Sequence, residues 1–303
     1  MDERVLRGVI SAVLTPFTRT GAVDYTRLRG LCRFLRTRVQ GLFVCGTFGS
    51  AALLSPRERR KVLSVVVDEA ADYLAVTAHV GCADTATTVD LARHAERTGA
   101  HAVAAVIPYY HEHTAAATMH HFSAIVEAVS VPVFVYDYPK AHPTRLTAEL
   151  LADLAAVGVA GIKDSGNDLL RLDQFKRKVN APSFQFVVGT EALLLPAMLM
   201  GCRAAISGLS IAFPEQVVRL YEAAVAGDMG RAAESHDLVM KMRAVIHRWP
   251  HIPAMHEALR LRGIDSGFPR RPFLPLSPEQ TRQVREDLVE LGVAARDPCE
   301  PEA

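Results

Sequence analysis

Apolar runs of strand length recur along the chain, each followed by a longer amphipathic stretch. They are 9–14, 41–45, 74–80, 102–107, 131–136, 159–163, 184–189 and 203–207. Their starts lie roughly 20 to 33 residues apart, about what a strand, a loop and a helix consume together. The runs are apolar throughout rather than alternating, so each strand is expected to be covered on both faces, as in parallel sheets. Ser55-Pro56-Arg57-Glu58 predicts a capped helix start, with Ser at the N-cap, Pro at the first helical position and Glu at the third. Thr147-Ala148-Glu149-Leu150 opens a helix in a similar way. Eight βα repeats predict a closed (β/α)8 barrel, with a doubly wound sheet as the alternative. No GxGxxG follows the first run and no GxxxxGK[ST] occurs, which disfavours nucleotide-binding α/β folds. The barrel is assigned to 1–212, a C-terminal helical extension to 213–295 and a tail to 296–303.

Composition narrows the partners. The chain has 303 residues, 50% of them hydrophobic, with 34 basic against 33 acidic side chains. That is a packed globular chain with no basic field for nucleic acid and no polybasic anchor for a membrane. No apolar run reaches the ~18 residues a membrane helix needs. The start Met1-Asp2-Glu3-Arg4 lacks a signal-peptide plan, and the five scattered cysteines never form CxxC. A cytoplasmic protein is expected, with its thiols reduced.

In a barrel, chemistry gathers where strands end. The third helical-scale repeat from the end of the barrel supplies the sharpest candidate: Val159-Ala160-Gly161-Ile162 runs directly into Lys163. An amine there is partly desolvated, which favours its neutral, nucleophilic form and suits Schiff-base formation with a ketone. A snorkelling lysine, or one paired with Asp164, is the bland alternative. Tyr136 ends Val133-Phe134-Val135 and would point into the same mouth, as a proton relay or as a core tyrosine. Gly46-Thr47-Phe48-Gly49 offers successive backbone N–H groups that can hold a carboxylate, or simply a tight turn with glycines at positive φ. Among the 12 histidines only His111-Glu112-His113 and His120-His121 cluster, and they read as solvated surface. Asp137, Asp164 and Glu191 leave a Mg²⁺ site open as a minor alternative.

Five motifs then stand in order: Thr15-Pro16-Phe17, Gly46-Thr47-x-Gly49, Pro108-Tyr109-Tyr110, Tyr136-x-x-Pro139 and Gly161-Ile162-Lys163. Together they resemble the dihydrodipicolinate synthase/N-acetylneuraminate lyase superfamily of class I, pyruvate-dependent aldolases, over nearly the whole chain. The resemblance implies a (β/α)8 TIM barrel with a C-terminal helical extension, usually a homotetramer built as a dimer of dimers. It implies Lys163 as the Schiff-base lysine for pyruvate, with no other cofactor and no metal, and Tyr136 as the proton relay. By the same match Thr47 hydrogen-bonds Tyr136, and Tyr110 completes the relay from the neighbouring subunit. The N–H groups of Thr47 and Phe48 would hold the pyruvate carboxylate, and Gly189 and Ile206 would line the pocket through backbone atoms.

The departures from the family pattern bear on the substrate. Phe48 and Ser50 stand where the commonest pattern has Thr and Glu, and Asp137 stands where it has Asn, adding a negative charge near the mouth if ionised. Synthases proper carry an arginine about where Ala141 falls, a bidentate clamp that Ala cannot replace and that Lys140 replaces only as a point charge. The stretches Tyr136-x-Tyr138-Pro139, Lys163-Asp164-Ser165 and Gly267-Phe268-Pro269-Arg270-Arg271-Pro272 look more like 2-keto-3-deoxy sugar-acid aldolases. Glu191 lies where N-acetylneuraminate lyases set an acid against substrate hydroxyls, and Thr190, Ser207 and Ser210 are further candidate hydroxyl contacts. The leading expectation is reversible cleavage of a 2-keto-3-deoxy acid to pyruvate and an aldehyde. The alternatives are 4-hydroxy-tetrahydrodipicolinate synthase, a non-catalytic keto-acid-binding protein on the same barrel, and a metal-dependent lyase.

Overall fold

The computed structural model describes residues 6–293, so the tail expected at 296–303 and the N-terminal residues weighed for a leader lie outside the described residues. Each apolar run becomes a strand: β1 (Gly8–Ala12), β2 (Gly41–Val44), β3 (Ala75–His79), β4 (Ala102–Val106), β5 (Val133–Asp137), β6 (Gly161–Asp164), β7 (Gln185–Val188) and β8 (Ala204–Ser207). All neighbours pair in parallel, and β1 pairs β8 to close the barrel. Burial is continuous along most strands, because side chains of one parity fill the barrel interior and the others meet the helices.

Between the strands run α1 (Tyr25–Leu35), α2 (Pro56–Ala70), α3 (Thr85–Thr98), α4 (Ala115–Ala128), α5 (Ala148–Ala156), α6 (Leu169–Lys178) and α7 (Leu194–Leu199). Helix α2 starts as its sequence dictates. The Ser55 hydroxyl accepts the Glu58 N–H, and the Glu58 carboxylate accepts the Ser55 N–H in return. Thr147 caps α5 through the Leu150 N–H.

One boundary moves. Beyond β8 the chain forms α8 (Pro214–Val225), which packs on α7 and β1 and is the eighth helix of the barrel itself. The helical extension therefore begins later than 213. It consists of α9 (Met229–His247), α10 (His251–Leu261) and α11 (Pro278–Glu290). The strand repeat does end near 207, but the last strand still needs its covering helix.

The extension is fastened to the catalytic end of the barrel. Phe17 bridges both Val23 and Phe268, and Arg270 donates to the Gly21 and Leu53 carbonyls and to Glu58 while lying 4.4 Å from the Phe17 ring centroid. Among the described residues no helix is long and apolar enough to cross a membrane.

Candidate active site

The carboxyl ends of the strands open onto a cavity of about 180 Å³. Its inner wall is Ala12, Thr47, Phe48, Tyr136, Lys163, Gly189, Ile206 and Gly208; its outer wall is Tyr138, Lys140, Ser165, Asn167, Thr190, Glu191, Arg243, His247 and His251. Lys163, Tyr136, Thr47, Phe48, Gly189, Ile206 and Glu191 thus converge on one space, as the strand-end positions predict.

Lys163 is 5% exposed, and among the described residues its amine forms no hydrogen bond or ion pair. It sits 3.8 Å from the Tyr136 ring centroid and 4.0 Å from that of Phe43. Burial alone pushes its pKa down to about 7. An unpaired buried ammonium is costly, so the amine gives up its proton more readily than in water. Asp164 is not its partner: Arg171 takes that carboxylate. Beneath the pair lies His79, whose Nδ1 faces the Cys45 carbonyl at 2.8 Å and whose ring meets Tyr136 edge-on. Burial, and then the Arg59 guanidinium, hold its imidazole pKa well below the ordinary value, so the imidazole is neutral near neutral pH.

The Tyr136 phenol and the Thr47 hydroxyl are 3.0 Å apart. Burial pushes the phenol pKa up to about 12, partly opposed by the bond to Thr47. Tyr136 is therefore a neutral phenol at working pH, suited to passing a proton along a chain of hydroxyls rather than to standing as a phenolate. Thr15 donates to the Gly49 carbonyl at 2.7 Å and ties the β1 loop to the turn that carries Thr47.

That turn is built differently from the expected one. Its glycines do not take the left-handed conformation; Cys45 (φ 56°) and Ser50 (φ 55°) do, at the two ends of the turn. Gly46 and Gly49 are there for space, since a Cβ on Gly46 would lie 2.6 Å from the Phe43 ring and one on Gly49 3.1 Å from the Val13 carbonyl. Left-handed non-glycine residues cost of order 1–3 kcal/mol each and persist where surrounding packing over-determines them. The Thr47 and Phe48 N–H groups donate to no acceptor among the described residues and remain open to a ligand.

The Phe48 ring closes the cavity against Gly208 and meets His251 edge-on at 5.1 Å. A Cβ on Gly208 would lie 2.3 Å from that ring, whereas the Gly208 backbone (φ −74°) accepts alanine without strain. Gly208→Ala is expected to swing the ring and raise the pyruvate concentration for half-maximal binding about tenfold, within the 1–3 kcal/mol range for overpacking. Unchanged pyruvate binding would detach Phe48 from the carboxylate turn.

Ser207 and Ser210 stand one layer back. Neither lines the cavity; the Ser207 hydroxyl donates to Glu191 at 2.7 Å, and Ser210 bonds the Ser207 hydroxyl and carbonyl. Ser207 thus orients Glu191, where a direct substrate contact was expected. The other Glu191 oxygen lies 3.2 Å from Arg243 Nε. Tyr110 is 84% exposed in a left-handed conformation (φ 79°), edge-on to His111, and within one chain it does not reach Tyr136. Asp137 is wholly buried against Arg171 and adds no free charge at the mouth, contrary to the sequence reading. His121 is buried as well, 2.8 Å from the Thr85 hydroxyl, rather than solvated.

Arg243, His247 and His251 escaped the sequence reading. Arg243 and His247 lie on α9 and His251 opens α10, and the two imidazoles stack with ring centroids 6.0 Å apart. Partial burial, then Arg243, lower the His247 pKa to about 4; at His251 burial comes first, then Lys140. The i, i+4 spacing of Arg243 and His247 was the one available signal, because it sets both on one helix face.

The chain as a whole has counterparts among known proteins. The model of the dihydrodipicolinate synthetase family matches residues 5–291. An uncharacterised DapA-like lyase of Halobacterium salinarum is 36% identical over 295 residues, covering 96% of each chain. A 4-hydroxy-tetrahydrodipicolinate synthase of Methanococcoides burtonii is 31% identical over 291 residues, covering 95% of this chain and 99% of that protein. Among solved structures, YagE from E. coli K12, a member of the dihydrodipicolinic acid synthase family in complex with pyruvate, superposes with a TM-score of 0.91 at 26% identity. That match covers 96% of this chain and all of the other, 100%. Fold and relatives agree: the chain is a lyase-type enzyme of the dihydrodipicolinate synthetase family.

Proposed function

We propose that this enzyme is a Schiff-base aldolase that reversibly cleaves a 2-keto-3-deoxy acid to pyruvate and an aldehyde. The observation that carries the reading is the Lys163 amine: buried, unpaired, with its pKa near 7, 3.8 Å from the Tyr136 ring centroid and on the cavity that the open turn at Thr47–Phe48 also lines.

The keto-acid carboxylate accepts the Thr47 and Phe48 N–H groups, which brings C2 over Lys163. The neutral amine adds to C2 and water leaves, giving a protonated imine. That cation is an electron sink, so the C3–C4 bond breaks toward it as Tyr136 takes the C4 hydroxyl proton and hands its own to Thr47, whose own proton moves on along the relay. The aldehyde departs, a proton returns along the same relay to C3 of the enamine, and hydrolysis releases pyruvate and frees Lys163. The chemistry balances with no metal or further cofactor, because the iminium does the work of a Lewis acid. Assembly into a tetramer belongs to the same reading, with Tyr110 of one subunit lent to the relay of another.

The outer wall suits a hydroxylated aldehyde: Glu191, Thr190, Lys140 and Arg243 all present polar atoms. A synthase acting on aspartate semialdehyde is the second reading, favoured by the named function of the M. burtonii relative. Ala141, in place of an arginine clamp, speaks against it.

Borohydride reduction with pyruvate, read by intact mass and peptide mapping, is the test. An adduct is expected on Lys163. Its rate should climb as pH rises through about 7, where the amine loses its proton, and flatten above. A screen with hydroxylated aldehydes and aspartate semialdehyde then separates the two readings. A folded protein that forms no adduct at any pH overturns both.

A further inference from the structure

Outside the cavity, the most unusual cluster is a buried acid–base–acid bridge behind the two reacting strands. Strands β5 and β6 are in register so that Tyr136 stands beside Lys163 and Asp137 beside Asp164. The two carboxylates therefore come one residue after the two groups that do the chemistry. Their side chains are only 1% and 4% exposed. Two such neighbouring buried charges repel each other and lose their hydration. Arg171, from the first turn of α6, reaches both: one terminal nitrogen bonds Asp137 and the other bonds Asp164.

We infer that Arg171 is a positioning residue for the aldolase reaction: by clamping Asp137 and Asp164 with one planar fork, it holds the ends of β5 and β6 in the register that presents Tyr136 to the substrate bound on Lys163. The inference rests on the aldolase reading above.

Three observations carry it. First, the fork geometry is specific. A guanidinium bonds two carboxylates at once with its two terminal nitrogens, whereas a lysine offers a single point charge. Second, the bridge belongs to the loop that follows β6. Asp164 also accepts the Gly166 N–H at 2.8 Å and its carbonyl accepts the Gly189 N–H at 2.7 Å, so the clamp extends to a cavity-lining residue of the β7 end. Arg171 in turn fits closely there, since a Cβ on Gly166 would fall 1.9 Å from its guanidinium. Third, Arg171 does not line the cavity and cannot touch substrate, so any effect on turnover must pass through the strand ends it ties together, those of Tyr136 and Lys163 and the adjoining Gly189. The remaining Asp137 oxygen lies 3.2 Å from His142 Nε2, which places one further polar group on the same cluster from the β5 loop.

The test compares Arg171→Lys and Arg171→Ala with the wild type in two assays, pyruvate trapping on Lys163 and steady-state cleavage of the keto acid. Both variants are first checked for native circular dichroism. Arg171→Lys is expected to trap pyruvate within about threefold of wild type. Its kcat should fall about 10²-fold with KM little changed, the scale of a small misplacement of a reacting group. Added guanidinium ion should restore part of the kcat of Arg171→Ala, which a general loss of folding would not allow. A kcat within twofold of wild type in Arg171→Lys, or equal losses in trapping and cleavage with no guanidinium rescue, overturns the positioning role. A wild-type protein that traps no pyruvate overturns the aldolase reading itself, and is distinguishable because it involves no variant.

Discussion

Replacing Lys163 by methionine is expected to abolish the borohydride-trapped pyruvate adduct and to lower cleavage by on the order of 10⁵-fold or more, the scale for removing a covalent nucleophile. Methionine keeps the length and apolar stem of the side chain, so the Phe43 and Tyr136 rings retain a neighbour. The variant also carries a stability signature. In the folded wild type the amine titrates near 7, against its ordinary value of 10.5. Between those two values the unfolded chain holds a proton that the folded chain has released, so wild-type stability rises with pH across that window. Lys163→Met removes this dependence. Urea titrations should find the variant more stable near pH 7, by several kcal/mol at most, with the advantage shrinking toward pH 10. An adduct surviving in Lys163→Met would move the nucleophile elsewhere. A variant less stable at pH 7 than at pH 10, relative to wild type, would contradict the buried neutral amine.

Tyr136→Phe separates binding from proton transfer. The ring and its contacts with Lys163, Phe43 and His79 remain, and only the hydroxyl bonded to Thr47 is lost. Pyruvate should still be trapped, and cleavage should fall about 10²–10⁴-fold, the usual contribution of a general acid or base. Because the phenol pKa is pushed up to about 12, the wild-type alkaline limb should not report Tyr136 below that value. Single-turnover cleavage measured beside trapping gives the comparison. Near-wild-type cleavage would demote the phenol to a core tyrosine with a satisfied hydroxyl.

How much of this was legible beforehand follows from the physics of each element. Parallel strands covered on both faces are continuous apolar runs, so all eight were readable to within two residues at most ends. Lys163, Tyr136 and Thr47 were readable at the mouth because each ends or follows such a run, but parity decides the outcome: Asp137 and Asp164, one residue beyond Tyr136 and Lys163, face Arg171 instead. The α8 boundary was not, since an eighth barrel helix and a first helix of an extension share one amphipathic pattern. The glycines of the Thr47 turn were read as conformational and proved to be spatial, because sequence does not reveal that the Phe43 ring lies underneath. Arg171 is one of four basic residues in α6, with Lys176, Arg177 and Lys178; which of them turns inward is decided by two carboxylates far away in sequence. Arg243, His247 and His251 reach the mouth only because α9 and α10 fold back over it.

That fold-back divides the cavity by provenance. Everything that would hold and activate a keto acid comes from strand ends and the β2 turn, where a shifted residue disturbs the closed hydrogen-bonded ring. A third of the outer wall that would meet the departing aldehyde (Arg243, His247 and His251) comes from two helices added after the barrel is complete, fastened through Phe268 and Arg270. The inner contacts and that third of the outer wall are therefore separate stretches of polypeptide, and a change at Arg243 or His247 would alter what is admitted while leaving the strand-end groups in place.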